Sequence, residues 1–153
     1  MTRALVIAGV DGSADSQLVI RRASDYATML AADLRIVTAW NEMVYQDAVV
    51  GFHPDVIARQ LGGDAAHAVF GPVIPPWATV VTRPGPAGPA LVAEAAGADL
   101  LVVGTRGHSA VGGMLLGSVS TYCAEHSNCP VLVVPTRQHG ATTDAHVDAE
   151  AQA

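Results

Sequence analysis

The sequence predicts an α/β domain in which a five-stranded parallel sheet lies between helix layers. Two observations carry this. Five short runs rich in β-branched residues are for the most part continuously apolar, as strands covered on both faces are. Helix-spaced apolar stripes lie between them, and alternating strands and helices build βαβ units with parallel strands.

Strands are expected over residues 4–8, 34–38, 79–81, 100–103 and Val131–Val134. Between the first two, Val19, Ala23, Tyr26, Ala27 and Leu30 recur at helical spacing, with Ser13 or Asp15 as candidate N-caps. Residues 41–77 read less regularly. Ile57, Leu61, Ala65 and Ala68 are in phase over residues 54–70, but Gly62-Gly63 interrupts them, and Gly71-Pro72 and Pro75-Pro76 follow. The expectation there is a short, broken helix and then a loop. Leu91, Val92 and Ala95 form a third stripe that Gly97 ends, and Val119, Tyr122, Cys123 and His126 a fourth, closed by Asn128 and Pro130. Residues 138–153 are polar with three acids, and read as a disordered tail to a single domain over residues 1–137.

At 153 residues, half of them hydrophobic and 14% charged, the chain is long enough to bury a core unaided. Its apolar runs are too short to span a bilayer, and no signal-peptide pattern follows Met1, so a cytoplasmic domain is expected. The net charge is −6, and the basic residues form no cluster of the kind that neutralises nucleic-acid phosphates. All eight of them are arginines. Having no lysine, the chain has neither a P-loop nor a Schiff-base mechanism. Cys123 and Cys129 are too few for a disulfide framework.

The segment after the fourth strand is the most informative. Glycines stand at 104, 107, 112, 113 and 117, and Ser118 opens the next helix. A glycine-rich loop lets backbone amides approach an anion, and a helix N-terminus adds unspent N–H donors and partial positive charge. Arg106 is the nearby cation, and Ser118 a hydroxyl donor. A plain surface loop explains the glycines equally well on composition alone. After the first strand come Gly9-Val10-Asp11-Gly12-Ser13. Should strands one and four be neighbours, both loops wall one crevice, where Asp11 can accept from ribose hydroxyls. Its bland alternative is a turn or cap residue.

The spacing Gly104-x2-Gly107-x9-Gly117-Ser118 resembles the ATP-binding signature of the universal stress protein family. Gly9-Val10-Asp11, Gly85-Pro86-Ala87, the run from Ala98 to Gly104 and that from Cys129 to Pro135 are similar to the family as well. The likeness covers residues 3–135. It implies an open, Rossmann-like parallel sheet in order 3-2-1-4-5, helices on both faces, and an adenine-nucleotide site. By the same resemblance Asp11 holds the ribose, with Gly9 and Val10 flanking the nucleoside, and the backbone of Ala39 meets the adenine. Val103, Gly104, Arg106 and Gly107 line the ribose and α-phosphate side, while Gly117, Ser118, Val119 and Ser120 cradle the outer phosphates of ATP or ADP. Magnesium or manganese bridges those phosphates in the family, and members dimerise through the last strand. A homodimer through the edge strand Val131–Val134 is therefore expected.

The resulting expectation is a nucleotide-dependent stress-response regulator or sensor, with ATP hydrolysis at most slow because neither loop offers an evident general base. Two other classes compete. One is a ligand-free dimeric interaction module; the other is an adenylyl- or phosphoryl-transfer enzyme, disfavoured by the missing lysine and second substrate domain. Cys123-x2-His126-x2-Cys129 lacks a fourth zinc ligand, and small buried thiols explain its cysteines better. His53, His67, His108, His139 and His146 suggest neither metal spacing nor a catalytic pair.

Overall fold

The computed structural model describes residues 2–41, 51, 53–105 and 116–136. Within them run β1 (Leu5–Val10), α1 (Ser16–Met29), β2 (Asp33–Trp40), α2 (Pro54–Phe70), β3 (Ala78–Pro84), α3 (Ala87–Glu94), β4 (Leu100–Gly104), α4 (Ser118–His126) and β5 (Val131–Val134). The five strands form one sheet in the order β3-β2-β1-β4-β5, and every pairing is parallel. Arg106, Gly107 and the expected tail, 138–153, lie outside the described residues.

Strand alternation sends successive side chains to opposite faces, and each face has its own core. Val6, Ala8 and Val10 of β1 join Leu34 and Ile36 of β2 beneath α1 and α2, against Val19, Ile20, Ala23, Ala27, Ala65 and Ala66. On the other face Ile7, Val37, Leu101 and Val103 pack against Leu91 and Ala95, with Cys123 from α4. The continuous apolar runs thus follow from burial on both sides. In α1, Tyr26 and Leu30 keep 36% and 48% of their surface exposed, so the buried stripe runs through Ser16, Val19, Ile20, Ala23 and Ala27 instead.

The middle of the chain differs from expectation. α2 is continuous through Gly62 and Gly63. A Cβ at Gly62 would stand 2.8 Å from Thr38 Oγ1 and 3.1 Å from a Val80 methyl, so this glycine lets α2 lie close on the sheet. The helix tolerates the backbone-entropy cost of glycine because packing on β2 and β3 offsets it.

α3 is anchored differently. Glu94, in its last turn, accepts from Arg35 Nη1 on β2 at 2.8 Å and from Arg83 Nε on β3 at 2.6 Å. Its side chain is only 9% exposed. Burial pushes the Glu94 carboxyl up, but the hydrogen bonds and charges of Arg83 and Arg35 together outweigh it, and the net effect is below the ordinary value.

Candidate functional site

In the order β3-β2-β1-β4-β5 the chain turns one way from β1 to β2, while β4 lies on the other side of β1. Such a switch point leaves a crevice outside the carboxyl ends of the two strands. A cavity of about 200 Å³ lies there. β1 and the loop after it contribute Gly9, Val10, Asp11, Ser13 and Asp15; β4 and its exit contribute Val103, Gly104 and Thr105. Gly117, Ser118, Val119 and Ser120 close one end, and Val19, Ala87 and Leu91 supply apolar walls from α1 and α3.

The β1–α1 loop is organised by one buried hydroxyl. Ser16, 2% exposed, accepts through Oγ from the amides of Gly12 at 3.1 Å and Asp11 at 3.3 Å. The same hydroxyl donates to Asp11 Oδ1 at 3.3 Å, which also accepts from the Ser13 amide at 2.9 Å. Asp15 occupies the N-cap position of α1 but makes no side-chain cap bond. Neither expected cap therefore acts through its side chain. The loop turns at Gly12, φ +83°, where a Cβ would meet Leu61 of α2 at 2.8 Å. α2 therefore presses on the loop from outside while Ser16 ties it from inside.

The other end is built oppositely. Gly117 is the N-cap of α4 and brings no side-chain acceptor. The first helical bond runs from Thr121 N to Gly117 O at 3.1 Å, so the amides of Ser118, Val119 and Ser120 precede the intrahelical ladder. Their donors, with the partial positive charge of the helix end, face a cavity whose only formal charges among the described residues are Asp11 and Asp15.

Of the residues singled out in the sequence, Gly9, Val10, Asp11, Val103, Gly104, Gly117, Ser118, Val119 and Ser120 line this one cavity. Arg106 and Gly107 fall outside the described residues. Ala39 does not line it: it pairs with Arg83 near the end of β2, on the far side of β1 from β4. Ser13 and Thr105, within the two loops expected to wall the crevice, line it too, and Asp15, Ser16, Val19, Ala87 and Leu91 line it without having been expected to. The Ser and Asp of 13–16 sit beside Asp11 in sequence and were legible by that proximity. Ala87 and Leu91 arrive only through packing of α3.

Both cysteines are free thiols, Cys123 buried and Cys129 partly so. Burial, and secondarily the charge of Cys129, pushes the Cys123 thiol up to about 11, and burial also raises Cys129. Among the described residues no group of three or more histidines, cysteines and carboxylates can hold a metal ion. His126 stacks on Tyr122, with ring centroids 4.0 Å apart, and its Nδ1 bonds the Tyr122 carbonyl at 3.0 Å. None of the helices among the described residues is long and apolar enough to cross a membrane.

A family model for the universal stress protein family matches residues 3–135. The chain belongs to the universal stress protein family. A universal stress protein of Mycobacterium tuberculosis strain H37Rv is 33% identical over 138 residues, covering 86% of this chain and 45% of that protein. The chain thus spans about half the length of the curated relatives it matches. A universal stress protein solved in complex with cAMP is 32% identical, with a TM-score of 0.61 over 88% of this chain and 98% of that one. A universal stress protein from Lactobacillus plantarum, 20% identical at a TM-score of 0.62 over 88% and 99% of the two chains, shares the fold. The parallel order expected of a universal stress protein is the order observed here.

Proposed function

We propose that this universal stress protein binds an adenine nucleotide in the β1–β4 cavity and acts as a nucleotide-dependent regulator. The opposed chemistry of the cavity's two ends carries this reading. Asp11 offers carboxylate acceptors suited to ribose hydroxyls, and the uncapped start of α4 offers amide and hydroxyl donors suited to phosphate. The cAMP complex of a similar universal stress protein supports the nucleotide class.

ATP, ADP and a cyclic monophosphate differ mainly in charge. With two carboxylates and no cation among the described lining residues, a polyphosphate needs countercharge from a divalent ion or from Arg106, the sequence's one cation between Arg83 and Arg137. Magnesium or manganese would supply that countercharge on phosphate oxygens, with water completing its shell. Asp11 Oδ1 already accepts from Ser13 and Ser16, which holds its carboxylate in place at this end of the cavity. A homodimer along β5 belongs to the same reading: the strand is a sheet edge on which Val131, Leu132 and Val133 stay only half-buried.

Identifying small molecules released from freshly purified protein tests the proposal. Near-stoichiometric adenine nucleotide is expected, with a melting temperature that rises in magnesium–ATP or cAMP. A ligand present at ~100 times its Kd stabilises the fold by ~2.7 kcal/mol. Protein that is empty, and whose melting ignores millimolar amounts of both, would speak for an interaction module instead.

A further inference from the structure

We propose that Thr136, which does not line the cavity, positions the cavity's donor end through Thr105, so that a bound ligand and the sheet edge at β5 restrain one another. The inference rests on the nucleotide-binding reading above and adds a route of regulation to it.

Thr105 is where three elements meet. Its amide donates to the Val134 carbonyl at 3.0 Å, joining the exit of β4 to the end of β5. Its carbonyl accepts from the Gly117 amide and, at 3.3 Å, from the Ser120 hydroxyl, so one oxygen fixes the start of α4. Its hydroxyl accepts from the Thr136 amide at 3.0 Å and shares a further bond with Thr136 Oγ1 at 2.9 Å. Thr105, Gly117 and Ser120 all line the cavity.

Thr136 is 7% exposed and Ser120 1%. Buried polar links of this kind are geometrically demanding, because a group that loses its partner has no water to replace it. Valine at either threonine keeps the branched shape while deleting the hydroxyl pair, so packing alone gives no reason for two threonines here. The pair holds Thr105 against the segment leaving β5, and the carbonyl of that same residue holds the Gly117 N-cap and the Ser120 hydroxyl at the start of α4. A displacement of the edge strand therefore reaches the donor end in two steps. Linkage makes the effect reciprocal: if the edge biases ligand affinity, ligand biases the edge by the same factor.

Nucleotide affinity and amide hydrogen exchange over residues 131–136, measured with magnesium–ATP and with cAMP on the full chain, test this. In the wild type, saturating ligand is expected to slow exchange at Val134 and Thr136 about 5-fold or more. Thr136→Val, which deletes the hydroxyl bond but leaves the Thr136 amide on Thr105 Oγ1, is expected to weaken affinity and to shrink the ligand's effect on exchange, and Thr136→Ser to restore both. Adding Thr105→Val to Thr136→Val should cost little more affinity than the larger single change, since both break one link. A merely structural threonine would lower the melting temperature in Thr136→Val yet leave the exchange response. That response persisting undiminished in Thr136→Val, or strictly additive losses, overturns the proposal. So does a ligand-bound wild type whose β5 exchange is unchanged, a result that needs no variant to fold. A wild type that binds neither nucleotide overturns the functional reading itself, and this one with it.

Discussion

The loop that leads into α1 and the start of α4, which border the same cavity, are built in opposite ways. Before α1 the loop is tied to itself: Ser16 Oγ takes the amides of Asp11 and Gly12, and Asp11 Oδ1 takes that of Ser13. At α4 a glycine N-cap leaves the first-turn amides without a side-chain acceptor. A satisfied loop is rigid and presents a carboxylate; an unsatisfied helix start presents donors. One molecule with hydroxyls at one end and an anion at the other can meet both. On the proposed reading, the opposed polarity of the two ends, more than the cavity's volume, would set the orientation of a nucleotide.

The largest effect should come from filling the donor end. Gly117 has φ −76°, open to any residue, so Gly117→Val should fold normally while its branched side chain occupies the anion position. A loss of ~100-fold in nucleotide affinity, about 2.7 kcal/mol, is expected by calorimetric titration, with little change in melting temperature. Breaking the satisfied end should do the reverse. Ser16→Ala strands the Asp11 and Gly12 amides and should cost about 1–3 kcal/mol in urea unfolding, with a smaller loss of affinity.

The α3 wall offers a pH test. Because Glu94's carboxyl titrates below its ordinary value in the fold, its contribution is present above the unfolded pKa of 4.5 and fades as pH falls through the folded value. Glu94→Gln should flatten the acid limb of a stability–pH curve and leave the neutral limb parallel to wild type. The smallest effect is a gain. Thr38 Oγ1 is buried with no hydrogen-bond partner, so Thr38→Val should be neutral or stabilise by ~1 kcal/mol, without touching nucleotide affinity.

The sheet was legible because burial on both faces writes itself into composition. The strand Val131–Val134 is read to the residue, and the others come out longer than their apolar cores, as β3 does in continuing through Arg83 to Pro84. α2 was not legible. A glycine pair within a helical stripe reads as a break unless the neighbouring sheet is known, and Gly62 serves a contact with Thr38 and Val80 from distant strands. The same holds for the site. Glycines and Asp11 at strand ends are local signals, and nine residues named on them or through the family resemblance line one cavity. Ala87 and Leu91 enter it through packing of α3 that spacing does not encode, and Ala39 stays outside because β2 lies beyond β1.

Backbone amide shifts followed by NMR during titration with magnesium–ATP, and separately with cAMP, test the opposition of the two ends most directly. The largest movements should fall on Ser118, Val119 and Ser120, with the amides of Gly12 and Ser13, already bonded within their loop, moving little. Saturable binding that leaves the start of α4 unmoved, or that shifts the β1–α1 loop more, would contradict the account.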